Sequence, residues 1–185
     1  MIREEKIIVA GFGGQGVMMI GQLLAYAGNE KNYNSLWVPS YGPETRGGTA
    51  NCSIIISETA IYSPVFQEAD VVLVLNQPSY DRFMNQVGKG GLLLYNSSLI
   101  ESAKSSPHYR VVGIPINDIA TEMGNPKIAN MVLLGAYLAT SPLFTMQEMQ
   151  SVLKHYLKDG KEKLYDINVL ALEKGYQYMK ELGPC

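Results

Sequence analysis

The residues best suited to chemistry lie in a glycine-rich segment near the N-terminus. Gly11, Gly13 and Gly16 have the GxGxxG spacing, in which glycines let the backbone approach a pyrophosphate and the next helix supplies partial positive charge. The apolar run 7–10 precedes them, and apolar residues at helical spacing follow. The segment therefore predicts a strand, a tight turn and a helix, with an anion site as one use of the turn. The candidate residues in the turn are Gly11, Gly13, Gly14, Gln15 and Gly16.

A dinucleotide-binding turn also needs an acidic residue about twenty positions later, at the end of the second strand. The candidate second strand, residues 35–38, runs into residues 39–42 without a carboxylate. Glu30 comes too early for this role and Glu44 comes too late. We therefore favour a turn that serves sharp chain reversal and close packing, and keep anion binding as the alternative.

A second unusual segment, residues 39–52, contains two prolines and three glycines within ten positions. This composition suits neither a helix nor a central strand, so we expect an irregular loop. Ligands gather outside the carboxyl ends of parallel strands, which places this loop beside the glycine turn. The Arg46 guanidinium suits a carboxylate or phosphate, although an internal pair with Glu44 or a plain surface charge explains it equally well. The candidate residues in the loop are Tyr41, which could also be a packing residue, Glu44, Arg46 and Gly47.

Catalytic motifs are absent from the sequence. His108 and His155 are the only histidines, and neither lies next to a serine or cysteine motif. Cys52 and Cys185 form no CxxC pair, so we expect free thiols rather than a zinc or iron–sulfur site. We predict no catalytic residue and no metal ligand in this chain.

These candidates must be positioned by alternating strands and helices, which predict an α/β fold. The apolar runs 70–75, 92–95 and 110–114 have the length of buried parallel strands. We expect a Rossmann-like, mostly parallel sheet flanked by helices, in one domain over residues 1–185. The other predicted elements are strand 34–38, a hairpin of 53–57 with 59–63, a helix from Pro78 through Val87, and helices over 17–28, 116–123, 128–139 and 164–182, with a Thr145–Glu148 capping box opening one more.

The predicted helix over residues 128–139 is apolar almost all round, so it must be buried in the chain or at an interface. Asn130 within it requires a hydrogen-bond partner. If this helix or the Tyr41 loop meets partners, the isolated chain is expected to self-associate as a two-fold dimer.

Composition narrows the functional class. The chain of 185 residues is 46% hydrophobic and 17% charged, with a formal net charge of −2, which is typical of one globular domain and argues against nucleic acid as a partner. The charged N-terminus is unlike a secretory signal, and no apolar stretch approaches the roughly twenty residues of a membrane span. We expect a cytoplasmic protein with no membrane contact.

Four segments together resemble the γ subunit, or γ domain, of 2-oxoacid:ferredoxin/flavodoxin oxidoreductases. They occur in the same order over nearly the whole chain, and the SYGPExRGG loop is far more specific than the glycines. The segments are GFGGQG, SYGPETRGGTANCSIIIS, SPVFQEADVVLVLNQPSYDRF and NPKIANMVLLGAYL.

The resemblance implies a subunit of an enzyme that converts a 2-oxoacid and coenzyme A to acyl-CoA, carbon dioxide and reduced ferredoxin or flavodoxin. In such complexes thiamine diphosphate and Mg²⁺ lie between α and β polypeptides, and other subunits or domains hold the iron–sulfur clusters. This chain alone is then expected to bind no cofactor. It would dock on α, β and δ subunits and line the coenzyme A approach, through the glycine turn and residues 41–48. The implied substrate is 2-oxoglutarate, with pyruvate, branched-chain and aryl-pyruvate enzymes as alternatives.

Two other function classes remain open from the sequence. A self-sufficient nucleotide-dependent dehydrogenase is opposed by the missing ribose carboxylate, and NAD binding by the isolated chain would revive it. A scaffold without any ligand contact would leave the Michaelis constant for coenzyme A unchanged in an Arg46→Ala variant of the assembled enzyme.

Overall fold

The computed structural model describes residues 4–42, 48–158 and 162–183. Its described part contains one six-stranded sheet with the strand order β2-β3-β1-β4-β5-β6. Strands β1, β4, β5 and β6 run parallel, and β3 runs antiparallel between β1 and β2. The predicted α/β, mostly parallel fold is therefore confirmed. The strands are β1 (Glu4–Phe12), β2 (Asn34–Tyr41), β3 (Thr49–Ser57), β4 (Ala69–Val74), β5 (Val87–Asn96) and β6 (Arg110–Ile114).

Helices cover both faces of the sheet, which explains why its central strands are continuous apolar runs. One face carries the larger core, formed with α1, α4, α5 and α6, and the other is covered by α2 and the segment around Ile100. The helices are α1 (Val17–Glu30), α2 (Gln77–Phe83), α3 (Ile116–Glu122), α4 (Ala129–Leu138), α5 (Met146–Tyr156) and α6 (Tyr165–Glu181), with short 3₁₀ turns at Met84–Gln86, Pro126–Ile128 and Glu162–Leu164.

Helix α4 is buried along its whole length, as its uniformly apolar sequence predicts. The α6 backbone lies directly against it, because a methyl group on Gly135 would meet the Leu172 carbonyl and one on Gly175 would meet the Val132 carbonyl. Close backbone approach of this kind needs residues without a Cβ. Of the two alternatives predicted for this helix, burial within the chain is the one observed, because α6 covers it.

The segment predicted as one long irregular loop is partly strand. Residues 39–41 belong to β2 and residues 49–52 to β3, with Pro39 opposite Cys52. The Gly42 N–H donates to the Thr49 carbonyl at 2.7 Å. Because backbone groups of an antiparallel strand bond to the neighbouring strand at every second residue, the backbone nitrogen of Pro39 faces away from β3. Proline is tolerated there because β2 is an edge strand and its missing N–H would point outward.

Two further element predictions are wrong. Residues 59–63 form no strand, because β1 and β2 already occupy both edges of β3. Instead, the Thr59 N–H donates to the Ser57 hydroxyl at 3.1 Å and turns the chain away. The helix from Pro78 ends at Phe83, and Val87 opens β5. The Thr145–Glu148 capping box is present.

Candidate functional site

The glycine turn joins β1 to α1 through two left-handed residues. Gly14 has φ 91° and Gly16 has φ 80°, conformations that favour glycine because a Cβ would be strained there. The Gly13 N–H donates to the Gly48 carbonyl at 2.9 Å. The turn is thus joined to the far end of the 39–52 segment, and the predicted neighbourhood of the two candidate segments is observed.

Gln15 holds the turn in place. Its Oε1 accepts the Phe12 N–H at 2.7 Å and the Asn76 side-chain amide at 3.0 Å. Asn76 in turn caps α2 by accepting the Ser79 N–H at 2.9 Å. A methyl group on Gly11 would lie 2.7 Å from this same Oε1, which gives a packing reason for glycine at that position. The Gln15 amide oxygen therefore ties the carboxyl ends of β1 and β4 together.

Asn130 supports the turn from below, as its position in an apolar helix led us to expect. It is 4% exposed, and its Nδ2 donates to the Gly16 carbonyl at 3.4 Å and lies 3.8 Å from the Met19 Sδ. A Cβ on Gly16 would collide with this amide. Gly16 is consequently constrained both by its φ angle and by the side chain beneath it.

An open cleft of about 250 Å³ lies between the turn, the first turn of α1 and the end of β2. Tyr41 borders it and is 68% exposed. Among the described residues, a methyl group on Gly13 would meet only the Gly48 carbonyl, at 3.8 Å, and one on Gly14 would meet no atom within 4 Å. The described backbone of Gly13 and Gly14 is therefore open to a molecule in the cleft. The other described walls of the cleft are Phe12, Gly16, Val17, Met18, Met19 and Ala50.

The other predicted site residues are Glu44, Arg46 and Gly47, which lie outside the described residues, so their roles stay predictions. Cys185 also lies outside them. Cys52 is a free, buried thiol behind α1, 3.7 Å from the Val17 carbonyl. Burial raises the pKa of its thiol to about 12, against a smaller opposing effect of Trp37, so it is unsuited to nucleophilic work.

Sequence reasoning missed a polar pair at the same edge of the sheet. Asn96 at the end of β5 donates to the Leu75 carbonyl at 3.1 Å and to the Asn117 Oδ1 at 2.7 Å. With Asn76 after β4, this places an asparagine at the carboxyl end of two neighbouring parallel strands. That regularity was visible in the sequence and could have identified this edge.

A second missed feature lies at the amino edge of the sheet. Glu5 is 7% exposed, and its Oε2 accepts a hydrogen bond from the Tyr137 hydroxyl at 2.7 Å. The Ser141 hydroxyl in turn donates to the Tyr137 oxygen at 3.1 Å. Burial raises the pKa of the Glu5 carboxyl to about 7, the Tyr137 hydrogen bond opposes this, and the nearby Asp70 charge adds to it. Nothing in the sequence marks Glu5 as different from its exposed neighbour Glu4.

Residues 4–42, 48–158 and 162–183 contain neither a cluster of metal ligands nor a helix able to span a membrane. In those ranges no three His, Cys, Asp or Glu side chains converge as metal ligands. None of the described helices combines the length and hydrophobicity that a transmembrane span requires.

Comparison with known proteins gives a consistent family assignment. The sequence profile of the family described as pyruvate ferredoxin/flavodoxin oxidoreductase matches residues 6–178. Ketoisovalerate oxidoreductase subunit VorA of Methanothermobacter marburgensis is 36% identical over 97% of this chain, which spans only 37% of the length of that relative. The 2-oxoglutarate synthase subunit KorC of Methanocaldococcus jannaschii is 32% identical, over 97% of this chain and 96% of the relative.

A solved structure supports the same fold. The γ subunit of keto/oxoacid ferredoxin oxidoreductase from Geobacter sulfurreducens PCA superimposes with a TM-score of 0.81 at 26% identity, covering 96% of this chain and 99% of that one. The mixed sheet flanked by helices is thus the fold of that γ subunit.

Proposed function

The chain belongs to the pyruvate ferredoxin/flavodoxin oxidoreductase family, and we propose on this basis that it is the non-catalytic γ component of a coenzyme A-acylating 2-oxoacid oxidoreductase. The observation that carries the proposal is the profile match over residues 6–178, joined to an open glycine-turn cleft at the carboxyl edge of the sheet. The proposed partners are α and β components, and a δ component, with ferredoxin or flavodoxin as electron acceptor.

The chemistry at the 2-oxo carbon is assigned to the partners in this proposal. Thiamine diphosphate, held with Mg²⁺ between α and β components, would supply the decarboxylation, and iron–sulfur clusters would take the electrons. The described part of the γ chain offers a shaped surface: glycine backbone open to a ligand, and a buried asparagine beneath it. We propose that it docks on the catalytic components through this edge, as a protein of the cytoplasm.

The cleft suits a coenzyme A molecule approaching the reaction centre. Gly14 and Gly16 present backbone without side chains, next to the N-terminus of the 14-residue helix α1, where partial positive charge favours a phosphate. Met18, Met19 and Tyr41 supply apolar walls that fit the uncharged portions of such a ligand. In this proposal Gln15 acts by positioning the turn, through its bonds to Phe12 and Asn76.

Named relatives belong to enzymes of 2-oxoglutarate, ketoisovalerate and indolepyruvate, and we give priority to the first two. We place 2-oxoglutarate first, giving succinyl-CoA, because the KorC subunit of 2-oxoglutarate synthase matches along nearly its whole length. Ketoisovalerate is the second candidate, because the VorA relative is somewhat more identical in sequence. Selection between them lies with the chains that hold the reacting carbon.

Purification of the tagged chain from its native source tests the assignment. We expect co-eluting chains identified by mass spectrometry as α and β components of a 2-oxoacid oxidoreductase. The eluate should reduce a viologen dye only when a 2-oxoacid and coenzyme A are both present. The ratio of kcat/KM for 2-oxoglutarate to that for ketoisovalerate then decides the substrate. Elution of the chain alone, or with unrelated chains, would contradict the proposal.

The coenzyme A contact is tested with a matched pair of glycine substitutions in the assembled enzyme. Gly13→Ala places a methyl group at the cleft, at ordinary contact distance from its neighbours. Gly88→Ala places one at the opposite edge of the sheet, 3.4 Å from the Ala69 carbonyl oxygen. We expect Gly13→Ala to raise KM for coenzyme A severalfold with little change in Tm, and Gly88→Ala to leave KM unchanged. Equal KM values for both variants would favour a scaffold without ligand contact. Arg46→Ala is the corresponding test of a contact that is predicted from the sequence alone.

A further inference from the structure

Glu5 has one carboxyl oxygen without a hydrogen-bond partner. Its Oε2 accepts a hydrogen bond from the Tyr137 hydroxyl at 2.7 Å, and no other described group bonds to the carboxyl. The fully buried side-chain N and O atoms that lack a partner are, among the described residues, Ser35 Oγ, Trp37 Nε1 and Arg110 Nε. Because the Glu5 Oε1 has no partner and is not one of these atoms, it reaches open space. A free acceptor on a side chain that is otherwise buried needs an explanation.

The open space beside Glu5 is a cavity of about 240 Å³ at the amino edge of the sheet. Lys89, near the start of β5, borders the same cavity, and β4 lies between its strand and β1. Lys89 is exposed and forms no ion pair with another described residue. Gly90 and Gly91 also border the cavity and put no side chain into it. The other described walls are Asp70, Val71, Leu92, Tyr137, Thr140 and Ser141.

The net charge of the cavity walls depends on the protonation of Glu5. When Glu5 is protonated, the Asp70 carboxylate and the Lys89 ammonium balance each other. When Glu5 is ionised, one negative charge is in excess. Helix α4 ends beside the cavity at Leu138, and the partial negative charge of a helix C-terminus adds to this excess. Ionisation of Glu5 therefore makes the cavity attractive to a cation.

Other charged groups near the cavity do not change this balance. Lys6 and Glu4, on the same strand as the buried carboxyl, pair with each other at 3.0 Å. Glu68 and His108 lie near the start of β5, but neither borders the cavity. From α4 and the segment after it, the cavity receives the hydroxyl groups of Tyr137, Thr140 and Ser141. Among its described walls, Lys89 is thus the one cation available to the carboxylate.

We propose that the Lys89 ammonium enters the cavity and pairs with the Oε1 of Glu5 when Glu5 is ionised, and returns to solvent when Glu5 is protonated. Side-chain rotation is sufficient for this movement, because lysine carries its charge on a long flexible stem. The observed conformation, with Lys89 exposed, is the protonated state. The pairing lowers the pKa of Glu5 below the value of about 7 that burial sets with the lysine outside. Ionisation then ties β5 to β1 across β4, independently of the proposed function.

The test is an NMR titration of the isolated, isotopically labelled chain through neutral pH. It follows the side-chain carboxyl carbon of Glu5 and the Cε of Lys89, and we expect both resonances to change at the same pH. Lys89→Gln should raise the pKa of Glu5 by about one unit or more, the effect of losing a nearby opposite charge. Lys89→Arg keeps the positive charge and should leave the pKa of Glu5 close to that of the parent chain.

Two further variants make the test selective. Lys127→Gln removes another exposed lysine, at the opposite end of α4, and should leave the pKa of Glu5 unchanged. In Glu5→Gln, the Lys89 Cε resonance should lose its change near neutral pH. The proposal is overturned if Glu5 has the same pKa in the parent and Lys89→Gln chains, or if the Lys89 resonance titrates identically in the parent and Glu5→Gln chains.

Discussion

The most quantitative prediction concerns the buried carboxyl group of Glu5. Glu5→Gln removes the charge and keeps an oxygen that can accept the hydrogen bond from the Tyr137 hydroxyl, whose oxygen lies 2.7 Å from the Glu5 Oε2 in the parent chain. The carboxyl pKa is about 7 in the folded chain, against an ordinary value of 4.5. A carboxyl group that binds its proton more tightly in the folded state stabilises that state when it is protonated, and this contribution is lost as pH rises.

The size of this contribution to folding stability follows from the difference between the folded-state and ordinary pKa of Glu5. A shift of 7 − 4.5, or about 2.5 units, corresponds to about 3 kcal/mol at about 1.4 kcal/mol per unit. The contribution is fully present below pH 4.5 and is lost between about pH 4.5 and 7. Because glutamine is neutral throughout, Glu5→Gln should match the parent chain near pH 4 and exceed its free energy of unfolding by up to about 3 kcal/mol at pH 8.

Urea denaturation at a series of pH values from 4 to 8 measures this difference. Titrations of other groups are common to both chains and cancel. Glu4→Gln, on the same strand but with a side chain 38% exposed in a surface pair with Lys6, controls for the loss of one negative charge. A Glu5→Gln difference that is constant across the pH range, or a less stable variant at pH 8, would refute the reasoning.

Two other substitutions test the packing that positions the cleft. Gln15→Leu leaves the Phe12 N–H and the Asn76 side-chain amide without their shared acceptor. We expect the free energy of unfolding, measured by thermal unfolding, to fall by at most about 1–3 kcal/mol for each of these two groups. Gly135→Ala would ordinarily favour a helix by up to about 1 kcal/mol. Here its methyl group meets the Leu172 carbonyl of α6, and we expect the opposite sign, a loss of about 1–3 kcal/mol or more. A neutral or stabilised Gly135→Ala chain would contradict the close crossing of α4 and α6.

Local patterns were sufficient to predict much of the fold. The strand over residues 70–75 and the helix from residue 17 have the periodicities of a doubly covered sheet and an amphipathic helix, and both are present. Asn130 was expected to need a partner because it interrupts an apolar helix, and it supports the turn at Gly16. These predictions succeeded because the determining interactions are local or depend on burial alone.

The remaining features depend on which elements become neighbours. The antiparallel β3 lies beside β1, and this pairing prevents the expected hairpin with residues 59–63. Glu5 is buried and hydrogen-bonded to Tyr137 of α4, which is 132 positions away in the sequence. Such contacts join residues distant in sequence, so no window of neighbouring residues indicates them.

In the proposed function, this chain contributes a cleft to a reaction that partner chains carry out. Acyl-CoA formation from a 2-oxoacid and coenzyme A should therefore be measured for the chain alone, for the partner components without it, and for the recombined mixture. We predict no turnover by the lone chain, weak turnover by the partners, and restored turnover when the two are mixed. Turnover by the lone chain, or full activity of partners that lack it, would contradict the account.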